Sequence, residues 1–274
     1  MSSWRFLRAG VEVDYALSRL DELITGLSNV RGFSAGAQAT ILASKYMTWA
    51  ENAEKMLLAL FEDYEVSRSI QTDRYWQIRN ITDQTPRPVP LVESETYDQE
   101  RGLQDIRNQL DHYRDVTRVD DDERLLLIDT NVYVHGRMFS QAAWDSLVPE
   151  KKVVILLPLV VVDELDWLKD HKEEGAFKVL RQLDETLKVG EAMKTTVLRD
   201  RVRIRLADEP RGHVRLPVTD DELARQATYY KSTSNGDLTL ITRDRGMRVR
   251  AEAAGVTVLM LPRDWERSPK HQSD

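Results

Sequence analysis

Four acidic residues stand where a fold could aim them at one point. Asp129 closes the run RLLLID and is followed at once by Thr130 and Asn131. Glu164 lies in VVVDELD, Asp220 in TDDELARQA and Asp244 in LTLITRD. A carboxylate aimed out of a strand as apolar as LLLI is costly to desolvate, and several gathered together repel one another. A doubly charged cation removes both objections. Hard ions such as Mg²⁺ and Mn²⁺ take oxygen ligands and pair readily with phosphates. The chemistry in view is therefore that of a bound divalent ion acting on a phosphate-bearing ligand.

The elements that must position these acids are legible behind them. LLLID, VVILLP, RVRIRLAD, DLTLITRD and VTVLMLP read as strands, RVRIRLAD with one exposed face. MFSQAAWDSLV, PLVVVDELDWLKDH, EEGAFKVLRQLDETLKV, TDDELARQATYYK and DRGMRVRAEAAG read as helices. A proline can open the second of these helices, a threonine N-cap and two first-turn acids the fourth, and a glycine ends the last. Strands alternating with helices predict a mainly parallel sheet covered on both faces. Such sheets bind ligands at the carboxyl ends of their strands, beside the point where strand order reverses. Asp129 and Asp244 end strands and Asp220 opens a helix, so three of the four acids belong on that side. Glu164 falls in the helix after the second strand.

IDTN, VVVDELD, TDDELARQA and LITRD, in that order and on those elements, resemble the PIN-domain nucleases. The resemblance spans roughly Arg124 to Pro262. It implies an α/β fold, a parallel sheet flanked by helices, and a metal-dependent ribonuclease, an endonuclease by preference, acting on single-stranded or structured RNA. Carried over, Asp129 is the central metal ligand, Glu164 the acid presented by a helix, Asp220 the third acid and Asp244 the fourth. Thr130 and Asn131 would orient the first carboxylate or a bound water, and Thr242 would do the same for Asp244. One or two Mg²⁺ or Mn²⁺ ions would activate water for in-line attack and stabilise the leaving oxygen, giving a 5′-phosphate and a 3′-hydroxyl. At the third position Asp220 is preferred to Asp221, because Leu223 follows it at the family's spacing of acid and apolar core residue. Asp237 is a weaker alternative to Asp244, since it precedes its strand. Asp163 and Asp166 point about 100° and 200° away from Glu164 on a helix, so one could support the site and the other be solvated.

Each acid also has a simpler reading. Asp129 and Asp244 can cap the helices that follow them, Asp220 can be an ordinary first-turn charge, and Glu164 a solvated helix residue. Their conjunction carries the metal reading. The five histidines share no ligand spacing. Arg203, Arg205, Arg243, Arg245, Arg248 and Arg250 are candidates for phosphate contact, against the commoner case of solvated arginine. Among the tryptophans only Trp167, on the helix of Glu164, is a candidate base-stacking residue. A haloacid-dehalogenase-like phosphatase would need a second aspartate two residues after the first, where this chain has Asn131. The alternative that remains is a PIN-like module that binds RNA or a protein without cutting. Small stand-alone members of that family are often toxins paired with an antitoxin; this chain is longer than that type, so a toxin role is less favoured than RNA processing or decay.

The rest of the 274 residues divide by composition. Residues 1–123 hold 14 Lys and Arg against 22 Asp and Glu, and residues 124–274 hold 25 against 24, so the net charge of −7 belongs to the front. With four acids engaged by metal, the remaining back half would be +5, suited to a phosphate backbone. The chain has no cysteine, which excludes disulfides and thiolate metal sites and fits a cytoplasmic protein. No apolar run approaches the ~20 residues that cross a membrane, and the start does not read as a signal peptide. Residues 1–82 read as helical, with apolar stripes at Leu17, Leu20, Ile24 and Leu27, and at Leu42, Tyr46, Trp49, Ala53, Met56, Leu60 and Tyr64. The second stripe predicts one long or kinked helix over 37–69. Residues 83–98, with three prolines in DQTPRPVPLVESE, read as a linker. Residues 99–123 read as a connecting helix and acidic boundary, 124–262 as the PIN-like domain and 263–274 as a polar tail. The helical front is expected to contact a regulatory protein or a second copy of the chain, or to act as a lid.

Overall fold

The computed structural model describes residues 4–32, 39–82, 84–135, 142–148, 151–187, 195–234, 238–261 and 265. The chain divides into two compact units, residues 4–115 and residues 116–274.

The first unit is helical. Its elements are α1 (Val13–Gly32), α2 (Ala39–Leu60), α3 (Tyr64–Arg68), α4 (Asp73–Arg79) and α5 (Pro88–Thr117), the last running two residues past the unit's end. The predicted stripes supply much of its core, with Leu20, Leu27, Tyr46 and Ala53 fully buried and Ile24 and Met56 only partly so; Ala50 and Leu57, outside the stripes, are also fully buried. Helices α1 and α2 approach closely because Gly26 has no side chain: a Cβ there would lie 2.9 Å from the Trp49 ring, whose indole N–H donates to the Leu23 carbonyl at 3.0 Å. Two expectations are corrected. The stripe over 37–69 stops at Leu60, and Asp63 caps a separate α3 by accepting from the Glu65 N–H; Tyr64 is exposed. The segment 83–98 is not a linker over most of its length, because α5 begins inside it and continues for 30 residues. Pro88 and Pro90 are the first and third residues of that helix. An N–H at those positions has no intrahelical acceptor, so proline starts a helix where it would break one further in.

The second unit is built on a six-stranded sheet in the order β3-β4-β2-β1-β5-β6. The strands are β1 (Glu123–Ile128), β2 (Lys152–Pro158), β3 (Thr196–Arg199), β4 (Val202–Ala207), β5 (Leu238–Thr242) and β6 (Thr257–Met260). All neighbours are parallel except β3, an antiparallel edge joined to β4 through a turn with Arg201 at φ 60°. Leu125–Ile128, Val153–Leu157 and Leu238–Ile241 are buried throughout, as parallel strands covered on both faces must be. The helices are α6 (Thr130–His135), α7 (Leu159–Asp170), α8 (Glu174–Thr186), α9 (Thr219–Thr233) and α10 (Arg245–Ala253). The expected helix MFSQAAWDSLV is, among the described residues, only a 3-10 turn over Trp144–Leu147. Thr219 does not cap α9; Val218 holds that position without a side-chain cap bond. Asp237 and all of the 263–274 tail except Trp265 lie outside the described residues. No helix among the described residues is long and apolar enough to cross a membrane.

β1 is the point of reversal. The chain leaves it for β2 on one side and returns on the other as β5. The register sets Ile128 beside Ile241, so Asp129 and Thr242 emerge next to each other at the carboxyl end of the sheet.

Candidate active site

Asp129 is held on both sides of its Cα. Its backbone N–H extends the ladder to the Ile241 carbonyl at 2.9 Å, and its own carbonyl accepts the Val132 N–H at 3.0 Å as α6 begins. The side chain is almost wholly buried, at 2% exposure. The Thr242 hydroxyl donates to Asp129 Oδ2 at 2.6 Å, and the Asn131 backbone N–H also faces the carboxylate. Burial pushes the Asp129 carboxyl up to about 6. The Thr242 bond opposes that shift, and the negative charges of Asp220 and Glu164 add to it.

Glu164 reaches the same region from α7, on the turn between the buried Val161 and Leu165. It accepts the Thr130 hydroxyl at 2.6 Å. Its carboxyl is raised by burial, held back by that bond, and raised again by Asp220. Asp220, in the first turn of α9, is raised by burial and by Asp244, with Arg250 pulling the other way and Asp221 adding to the rise. Asp244 lies between β5 and α10. Its Oδ1 accepts the Met247 N–H at 2.7 Å, which caps α10. Its own N–H donates to the Thr242 hydroxyl at 2.9 Å.

The four sequence-predicted acids therefore form a chain of mutual repulsion, Asp244 to Asp220 and Asp220 to both Asp129 and Glu164. The supporting residues take parts that differ in detail from those expected. Thr130 serves Glu164 rather than Asp129. Thr242 serves Asp129 with its proton and Asp244 with its lone pair. Asn131 contributes its backbone while its side chain is exposed. Asp221 pairs with Arg250 at 2.8 Å. Asp163 and Asp166 turn to Arg215 and Lys169 at 2.5 and 2.6 Å. Among the described residues, no group of three or more Asp, Glu or His side chains is arranged to hold a metal ion as it stands.

The arginines divide. Arg203 pairs with Glu123, which begins β1. Glu123 lies six residues before Asp129, about 20 Å away along an extended strand. Arg203 is thus committed at the opposite end of the sheet. Arg205 donates to the carbonyls of Val116 and Arg118, at 2.5 and 3.0 Å, and to the Thr195 hydroxyl at 2.8 Å. Both bind protein groups where phosphate contact was expected. Arg245 and Arg248 lie on α10 beside Asp244, Arg245 exposed, and Arg243 lies between Thr242 and Asp244.

Sequence reasoning missed one buried network. Glu222, fully buried in α9, accepts His213 Nε2 at 2.8 Å, the Leu216 N–H at 3.0 Å and the Gln226 amide at 2.8 Å. Burial pushes the Glu222 carboxyl up, but these three donors overcome that and hold it below the usual range. The network pins the stretch before α9, and with it the helix start that carries Asp220. Its available signal was the TDDELARQA run, where Glu222 and Gln226 share one helix face.

Among solved structures, the chain is similar to a domain of a functionally unknown protein from Methanocaldococcus jannaschii DSM 2661. The two are 16% identical, and the likeness covers 53% of this chain and 96% of that one at a TM-score of 0.34. No curated protein matches the sequence. Residues 126–261 match the family model described as the PIN domain, and that interval contains β1 from its fourth residue on, the remaining strands and all four acids. Through these residues, its C-terminal half, the chain belongs to the PIN-domain family.

Proposed function

We propose that residues 126–261 form a metal-dependent ribonuclease domain, with Asp129, Glu164, Asp220 and Asp244 as the ligands of one or two Mg²⁺ or Mn²⁺ ions. The observation that carries this reading is the coupling of four carboxylates at the strand-order reversal, around an aspartate that burial pushes up to about 6. The donor set fits a hard divalent ion, because it is all oxygen and its four negative charges, when ionised, exceed what one nearby guanidinium can offset. Such an ion, when bound, supplies Lewis acidity toward phosphate and an activated water.

The protein's own groups orient and position. Thr242 fixes Oδ2 of Asp129, and the Asn131 N–H steadies the same carboxylate. Thr130 fixes Oε2 of Glu164, leaving Oε1. Asp244 commits Oδ1 to the cap of α10, leaving Oδ2. Arg243, Arg245 and Arg248 are proposed to meet the substrate's phosphates. Residues 4–115, with Tyr15, Ile41, Leu58 and Trp76 exposed, are proposed as a contact module for a regulatory protein or a second copy.

A second reading, an RNA- or protein-binding module that does not cut, draws on one observation: the described acids are coupled but not arranged around an ion position. Cleavage of a mixed single-stranded RNA set with and without Mn²⁺, by the natural protein and by Asp129→Asn, separates the two. Metal-dependent cleavage lost in the variant supports the ribonuclease. Equal cleavage by both proteins, or none by either, rejects the proposed centre.

A further inference from the structure

Arg250 is the cation that stands among the acids. It projects from the last turn of α10, and its Nε lies 2.8 Å from Asp221 Oδ1 while its Nη1 lies 3.6 Å from Asp220 Oδ2. A Cβ built on Gly246 would come within 3.0 Å of Asp244 Oδ1 and 3.1 Å of Arg250 Nη1, so carboxylate and guanidinium share the space above a residue that has no side chain. One guanidinium thus pairs with the third acid and with its alternative. Asp220 is the acid whose charge reaches the other three.

We propose that Arg250 is the built-in counter-cation of this acid cluster, and that a divalent ion binds by displacing it from Asp220. The inference rests on the metal reading above and adds to it that metal affinity is set by competition with a residue of the chain. A singly charged guanidinium satisfies part of the repulsion that would otherwise force the carboxylates apart or protonate them. It does so at the surface: Arg250 and Asp220 are 45% and 37% exposed, and ion pairs of that kind are weak. A doubly charged ion at coordination distance outcompetes such a pair, and the long arginine stem lets the head swing clear without moving α10.

The test is Mn²⁺ binding to the full chain without RNA, read by electron paramagnetic resonance of the free ion or by calorimetry. Arg250→Gln is expected to bind Mn²⁺ more tightly, by about five-fold for one neighbouring unit charge removed at a partly exposed site. Arg250→Lys, which keeps the charge, is expected to stay near the natural protein. Unchanged or weaker binding by Arg250→Gln would overturn the competition. If the natural protein and Asp129→Asn took up Mn²⁺ alike, the metal site itself would fall, and the role of Arg250 with it. The first of these failures concerns only Arg250→Gln, the second only Asp129→Asn, so they are distinguishable.

Discussion

The hydroxyl of Thr242 donates to Asp129 at 2.6 Å and accepts the backbone N–H of Asp244 at 2.9 Å. One buried side chain on β5 therefore orients the first acid and fixes the backbone of the fourth. Thr242→Val keeps the shape and removes both bonds. It leaves a buried carboxylate oxygen and a backbone N–H without their partner, an effect of about 1–3 kcal/mol. Urea denaturation of the metal-free protein at pH 8 should show that loss, and Mn²⁺ binding should weaken in the same variant. A variant equal to the natural protein in both would mean that Thr242 is packing only.

Asp129 makes stability depend on pH in an unusual direction. Its carboxyl is raised from 3.8 to about 6, chiefly by burial. Between those values the folded chain keeps a proton that the unfolded chain has released, so the contribution to stability falls as pH rises through the window. Above it the full penalty applies, roughly two units at ~1.4 kcal/mol each, or about 3 kcal/mol. Without metal, Asp129→Asn should be more stable than the natural protein at pH 8, and the advantage should shrink toward zero near pH 4. Denaturant titrations at both values check it. Adding Mn²⁺ should raise the melting temperature of the natural protein and leave that of the variant in place.

Gly246 tests the space beside Arg250. Alanine inside a helix is ordinarily better than glycine by about 0.5–1 kcal/mol. Here the new methyl would crowd Asp244 Oδ1, which the Met247 N–H holds, and Arg250 Nη1, which is free to swing. The guanidinium should give way. Gly246→Ala is expected to raise Mn²⁺ affinity by less than Arg250→Gln, since the charge stays nearby, while its melting temperature stays level or rises. Affinity equal to that of the natural protein would count against any influence of this crowding on the ion.

Gly175 has no such escape. A Cβ there would lie 2.5 Å from the carbonyl oxygen of Val134, where α8 begins against α6. Backbone must move to admit it, and overpacking of this kind costs about 1–3 kcal/mol. Because α6 starts at Thr130, Gly175→Ala should also disturb the Thr130–Glu164 bond. The expected result is a lower urea midpoint together with weaker Mn²⁺ binding; an unchanged midpoint would show that the two helices have room to part.

How far the sequence disclosed this depended on whether a residue's role was local. LLLI and LTLIT announced themselves because buried parallel strands leave only apolar residues, and the acids after them followed from the chain's direction. The start of α5 was hidden because three prolines look like a break until the helix's first turn is known to fall on two of them. β3 was hidden because four residues at an edge become a strand only through their partner β4. Arg203 read as a phosphate contact while its partner, Glu123, was 80 residues away. The hydroxyls of Thr130 and Thr242 were rightly picked out as neighbours of acids, but their recipients sit 34 and 113 residues off along the chain, at a distance no local pattern encodes.

The pairing of Ile128 with Ile241 has a consequence for how this centre can change. A strand slipped by a single position would exchange the two helix layers against which the side chains of LLLI pack and carry Asp129 out of reach of Thr242 in the same movement. Errors that would spoil the centre while sparing the interior are thereby restricted to exchanges of one residue for another. An insertion or deletion within either strand would therefore disturb the interior and the acids together.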